Sequence, residues 1–171
     1  MASGKVVVDA SPLYYYLLSH FDRTRGDAPK KLLRQMMSDL SDENLAQIEA
    51  QVGGSQLVTT PAVIAEADRR IRMGKQQRTG RRGATPIHRA LRESLLDLLL
   101  ELRVRELIMP VQEFGRNEWA RVIWNRHGPV DITLVLIAEQ EEACLITADR
   151  RIAGLVQQRG GTAIYVRAPI G

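Results

Sequence analysis

Four carboxylates stand where a fold could gather them: Asp9, ending the valine run of VVVDASPLYYYLL; Glu66, within TTPAVIAEADRR; Asp131, in PVDITLVLIAEQ; and Asp149, in CLITADRRI. Acids brought into one place resist burial unless a cation neutralises them, so such a set implies a bound metal. With oxygen ligands alone the ion is a hard one, Mg²⁺ or Mn²⁺. Beside a phosphodiester, that ion lowers the pKa of a water and stabilises charge on the leaving oxygen. Each acid also has a plainer use. Asp9 could cap a helix, Glu66 could pair with Arg69 or Arg70 at helical spacing, and Asp131 could sit in a helix first turn, favoured by the dipole.

The elements around these acids decide whether they meet. VVV reads as a buried strand, with Ser11 as N-cap and Pro12 as the first helical residue after it, so Asp9 falls at the strand's carboxyl end. Ligands of open α/β sheets bind at that edge. QLVTT reads as a strand, followed by Thr60 as N-cap and Pro61 opening a helix. There Val63, Ala67 and Ile71 mark the buried side and put Glu66 at its margin. Pro129 opens a helix whose body, ITLVLIA, is apolar nearly all round and hence buried against the sheet. ACLIT reads as a second central strand, and Asp149 follows Thr147 by two residues as another helix begins. RGGTAIYV closes with a helix C-cap and a final strand.

Between these blocks, PKKLLRQMMSDL and SDENLAQIEAQV read as short helices, and a long helix carries Leu91, Leu95, Leu98 and Leu102. LIMPV reads as a brief strand. NEWARVIWNRHG reads as a helix with Trp119 and Ile123 on one face and Trp124 turned away, toward an interface, a groove edge or a stacked base. In PLYYYLLSHF, Tyr14, Tyr15 and Tyr16 are about 100° apart in turn, which predicts that at least one reaches the surface. Strands alternating with helices predict an α/β fold with a mostly parallel sheet covered on both faces.

Composition sets the frame. The 171 residues, 44% hydrophobic, suffice for one domain spanning 1–171. No charged leader precedes an apolar stretch, and no apolar run nears the roughly 20 residues of a membrane helix, so a cytoplasmic protein with no membrane partner is expected. Cys144 is the sole cysteine, which excludes an internal disulfide and reads as a small core residue. His20, His88 and His127 fall in no metal-ligand spacing, though His127 lies close enough to Asp131 to border its site. From Arg69 to Arg92 the chain carries nine Lys or Arg and no acid, leaving −5 for the remainder against +4 overall. A basic block on an acidic remainder suits either a polyanion partner or a solvated loop.

The four acid-bearing blocks, in that order and spacing, resemble those of PIN-domain nucleases, the family that includes VapC-type toxins of bacterial and archaeal toxin–antitoxin pairs. The resemblance covers nearly the whole chain, apart from a basic insertion at about 72–92. It implies a PIN-like three-layer fold, a central, mostly parallel β-sheet flanked by helices, and a Mg²⁺- or Mn²⁺-dependent endoribonuclease. Carried over by position, it implies Asp9, Asp131 and Asp149 as ligands of metal or its waters, Glu66 as a ligand or water-orienting base, and Ser11 and Thr147 as hydroxyl donors behind them. The family includes toxins and RNA-processing and RNA-decay enzymes, so RNA is the implied partner, joined by an antitoxin if the chain is a toxin. The insertion, with Arg72, Lys75, Arg78, Arg81 and Arg82, suits the RNA backbone or an acidic protein such as an antitoxin. Two rivals come from other classes. One is a PIN-like module that holds RNA or protein without cutting. The other, a receiver-type phosphoacceptor, expects adjacent acids near the first strand and a lysine after a late one, and VVVDAS and LITADRR supply neither. The Tyr-rich helix and Trp124 suit a homodimer.

Overall fold

The computed structural model describes residues 4–25, 30–38, 40–73 and 86–166. Lys75, Arg78, Arg81 and Arg82 lie outside the described residues; Arg72 lies within them. The described elements run β1 (Lys5–Val8), α1 (Ala10–Thr24), α2 (Lys30–Met36), α3 (Asp42–Gly53), β2 (Gln56–Thr59), α4 (Pro61–Met73) and α5 (Pro86–Glu101). They continue with β3 (Arg105–Glu106), α6 (Val111–Arg116), α7 (Glu118–Ile123), α8 (Pro129–Gln140), β4 (Cys144–Thr147), α9 (Arg150–Gln158) and β5 (Ala163–Tyr165).

All five strands are parallel, in the order β3-β2-β1-β4-β5. Val6, Val7 and Val8 alternate sides yet are all buried, so helices cover both faces. From β1 the chain steps to β2 and β3 on one side; from β4 it steps to β5 on the other. Right-handed crossovers therefore set the helices after β1 and β2 on one face and α8 and α9 on the opposite one. This is an α/β fold with a central parallel sheet between helical layers. The order also differs from the flavodoxin-like 2-1-3-4-5 of receiver domains. The reversal of direction between β1 and β4 opens a crevice at their carboxyl ends, where α/β folds bind ligands.

Four local expectations need correction. Tyr14, Tyr15 and Tyr16 are all buried, because α1 is enclosed by α2, α3, α4, α5 and β4 rather than packed on one side. Burial, with Tyr15 adjacent, pushes the Tyr14 hydroxyl up to about 12. The cap of α1 is Asp9, not Ser11: the first helical bond runs from Leu13 N–H to Asp9 C=O at 3.1 Å. Pro12 still fits, since its missing N–H falls among the first four amides, which lack helical partners anyway. LIMPV is not the third strand. The ladder covers Arg105–Glu106, Leu107 N–H gives one more bond to Thr59 C=O at 2.9 Å, and Ile108 is already exposed. Finally, the Trp helix stops at Ile123 and is preceded by α6. Trp119 and Ile123 pack on the small cluster of Phe114, Ala120, Ile132 and Leu136, while Trp124, half-exposed, sets its ring edge on Phe114.

Elsewhere α4, α5, α8 and the end of α9 follow the local sequence pattern. Thr60 Oγ1 accepts from Val63 N–H at 3.2 Å as the α4 cap, and Val63, Ala67 and Ile71 are buried. Leu91, Leu95 and Leu98 bury the inner face of α5, and α8 is buried from Leu134 to Ala138. After α9, Gly160 takes φ 79° and Gly161 N–H bonds Val156 C=O at 3.0 Å, a glycine C-cap before β5.

Candidate active site

Each acid reaches the crevice by its own route. Asp9 follows β1 directly; its Oδ1 accepts from Ala10 N–H at 2.6 Å and its Oδ2 from Thr147 Oγ1 at 2.8 Å. Thr147, fully buried at the end of β4, turns the same hydroxyl oxygen to the Asp149 N–H at 3.0 Å. One hydroxyl thus ties the acid after β1 to the backbone of the acid after β4, across the switch in strand order. Asp149 caps α9 through Arg151 N–H at 2.7 Å and meets the Arg151 guanidinium at 3.1 Å. Burial opposes its charge, but those bonds outweigh burial and hold the carboxyl below the usual aspartate range.

Asp131 is the third residue of α8, positioned by Pro129 at the helix start. Burial pushes its carboxyl up despite a hydrogen bond from the Gly128 N–H, and the charges of Asp9 and Asp149 push it further. The charge of His127 opposes that shift. Glu66 comes from the second turn of α4. Arg69 holds it in a two-pronged fork at 2.5 and 2.7 Å, with Arg70 Nε at 3.3 Å, and the Arg69 bonds keep its carboxyl below the usual glutamate range.

A single cleft of about 830 Å³ is lined by all four acids and Ser11, with Arg69, Arg70 and Arg72 on its α4 wall. The four residues set apart by type and position in the sequence therefore share one opening. Ser11 lines it from inside α1 rather than from the cap. A narrower cleft of about 440 Å³ lies at the other end of β1 and β4, around Gly4, Cys144 and Arg159. There burial pushes the Cys144 thiol up, which fits a core residue and not a reactive thiolate.

A hard cation suits this donor set, because Asp131 sits in the field of two other carboxylates, a field that the Gly128 N–H, His127 and Arg151 only partly offset. Among the described residues, however, no three His, Cys, Asp or Glu side chains stand close enough together to hold a metal ion. The reason is visible in the bonds above. Asp9 is turned to Thr147, Glu66 to Arg69, and Asp149 to Arg151. The residues fit in kind and neighbourhood, and an ion would compete with Arg69 and Arg151 for Glu66 and Asp149. Sequence reading anticipated the Glu66 pair at its i,i+3 spacing. It missed the Arg151 pair, whose only signal is the arginine two places past a capping aspartate.

No protein-family model matches the sequence, and no similar curated protein is found. Among solved structures, a domain of a functionally unknown protein from Methanocaldococcus jannaschii DSM 2661 is similar at 16% identity and a TM-score of 0.46, over 99% of this chain and 95% of that one. Among the described residues, no helix is long and apolar enough to cross a membrane.

Proposed function

We propose that the chain is a Mg²⁺- or Mn²⁺-dependent endoribonuclease of the PIN type, acting as a toxin or as an RNA-processing enzyme. The observation that carries this reading is the opposition among Asp9, Asp131 and Asp149. Three separate elements deliver these carboxylates to one cleft at the strand-order switch, where burial first, and then the charges of the first and third, raise the carboxyl of the second. Asp9, Asp131 and Asp149 would hold the ion, with Glu66 at its margin. Bound there, the ion would acidify a water and offset charge on the leaving oxygen of a phosphodiester.

The chain's own residues supply the rest. Thr147 fixes one oxygen of Asp9 while the Ala10 N–H holds the other, so the carboxylate that lines the cleft is set in orientation. Glu66, freed from Arg69, is a carboxylate able to orient a water or accept its proton. Arg69, Arg70 and Arg72 offer charge to the RNA backbone along the α4 wall. The basic insertion extends that charge toward RNA or an acidic antitoxin.

One observation favours a second reading, a module that binds RNA or protein without cutting: both Glu66 and Asp149 already carry guanidinium partners. A single assay separates the two. Purified protein is incubated with a mixed single-stranded RNA and a matched DNA, in Mg²⁺ or Mn²⁺, beside an EDTA control and Asp9→Asn. RNA cleavage lost in both controls supports the nuclease. Cleavage retained by Asp9→Asn overturns it, and binding without cleavage by the folded wild type favours the module.

A further inference from the structure

Two arginines hold the ligand carboxylates on opposite flanks of Asp9. Arg69, on α4 after β2, forks onto Glu66 through Nε at 2.5 Å and a terminal nitrogen at 2.7 Å. Arg151, on α9 after β4, meets Asp149 Oδ2 at 3.1 Å and Oδ1 at 3.4 Å. Since β1 lies between β2 and β4, the two pairs bracket the acid that ends β1. Both guanidinium groups are largely exposed, at 54% and 76%. Neither therefore serves the core, and both can swing away without opening it.

Beside Arg69, the Arg70 Nε is buried with no hydrogen-bond acceptor among the described residues, 3.3 Å from Glu66. The α4 wall thus presents more donors than Glu66 can use. A guanidinium fork matches a phosphate as well as a carboxylate, and a metal ion arriving at the same carboxylate competes with the guanidinium for its charge and lone pairs.

We propose that Arg69 and Arg151 are exchange residues: they occupy Glu66 and Asp149 before the metal binds, and on its arrival turn to the phosphates of the RNA strand on either side of the scissile position. This rests on the nuclease reading given above. It makes each a positioning residue with two opposed effects, against metal and for RNA. A residue that merely buttresses the fold would not weaken one ligand while strengthening the other.

The test uses the full chain and Arg69→Gln, Arg151→Gln and the double variant, with thermal melts confirming that each folds. Mn²⁺ affinity is read by calorimetry. Affinity for a labelled single-stranded RNA is read against salt in Ca²⁺, a hard cation for the same carboxylates, and the RNA is checked intact on a gel. Each single variant is expected to bind Mn²⁺ about two- to fivefold more tightly, the scale of an exposed ion pair released. Each is also expected to bind RNA more weakly, with a log–log salt slope shallower by about 0.7 per arginine. Arg69→Lys, which keeps the charge without the fork, should restore most of the slope. If the variants match wild type in both Mn²⁺ affinity and salt slope, the exchange is overturned while the metal site stands. If wild type itself binds no Mn²⁺, the nuclease reading falls and the exchange falls with it.

Discussion

Thr147 donates its hydroxyl proton to Asp9 Oδ2 at 2.8 Å, linking the tips of β4 and β1 from a fully buried position. A threonine in that place does what a valine of nearly the same shape cannot. Its proton fixes a carboxylate, and its oxygen receives the Asp149 N–H at 3.0 Å. Thr147→Val should therefore leave the part-buried Asp149 amide unpaired and Asp9 held only by the Ala10 N–H. The expected loss is about 1–3 kcal/mol, read in a denaturant melt, together with roughly 10- to 100-fold in Mn²⁺ affinity. Thr147→Ser should recover most of both. A valine variant with wild-type metal affinity would show that Asp9 needs no such support.

Asp9→Asn separates the two roles Asp9 fills. Asparagine caps helices about as well as aspartate but keeps one acceptor oxygen of the two, so α1 should persist and the melt in EDTA should lose at most one hydrogen bond, about 1 kcal/mol. The charge is what the ion requires. With Mn²⁺ at a hundred times its dissociation constant, wild type should gain about 2.7 kcal/mol, seen as a rise in Tm of roughly 5–10 °C for a chain of this length. The variant should gain almost nothing. An equal metal-induced rise in both proteins would remove Asp9 from the ligand set.

These two residues also show how much of the molecule can be read in its sequence. Asp9, Glu66, Asp131 and Asp149 could be placed at one edge because strand ends and helix starts follow from local patterns: β-branched runs, Pro61 and Pro129 at helix starts, and Thr60 as a cap. What depends on the third dimension could not. The burial of all three tyrosines follows from neighbours of α1 that are distant in sequence. The third strand shifted because an edge strand of two residues carries almost no hydrophobic signature of its own. Capping passed from Ser11 to Asp9 because both are good caps and only the backbone path chooses between them. The Glu66–Arg69 pair follows from helical spacing, whereas the Arg151 pair sits on exposed surface two places past its cap, where spacing permits many pairings and selects none.

Asp131 gives a prediction in pH. Its carboxyl is raised by burial and then by Asp9 and Asp149, so the folded state binds that proton more tightly than the unfolded chain does. The resulting stability is fully present below the unfolded value of about 3.9, and it is lost as pH rises through the raised one. At neutral pH without metal, Asp131 is therefore a charge the fold would be better without. Asp131→Asn, which can still accept from the Gly128 N–H, should melt higher than wild type in EDTA at pH 7. The gain should be about 1–2 °C, the size of a partly screened charge term of about half a kcal/mol. The difference should shrink toward zero as pH falls. Mn²⁺ should reverse the ranking at pH 7, stabilising wild type and not the variant. A variant that melts below wild type in EDTA at every pH would mean the carboxylate is stabilising where it stands.

The basic insertion makes the last prediction, and it rests on the sequence, since Arg78, Arg81 and Arg82 lie outside the described residues. Phosphate contacts contribute affinity that falls with salt, whereas a loop that only solvates itself contributes none. Replacing the three arginines by alanine should weaken single-stranded RNA binding and make its log–log salt slope shallower by about 2, close to 0.7 for each lost phosphate contact. Mn²⁺ affinity should stay within a factor of about two, because the proposed ligands of the ion, Asp9, Asp131 and Asp149, are unchanged in the variant. That pattern differs from the one expected of Arg69→Gln, which tightens Mn²⁺ binding while weakening RNA. An unchanged RNA slope in the triple variant would remove the insertion as a grip on the strand, leaving a solvated loop or a docking site for an acidic protein.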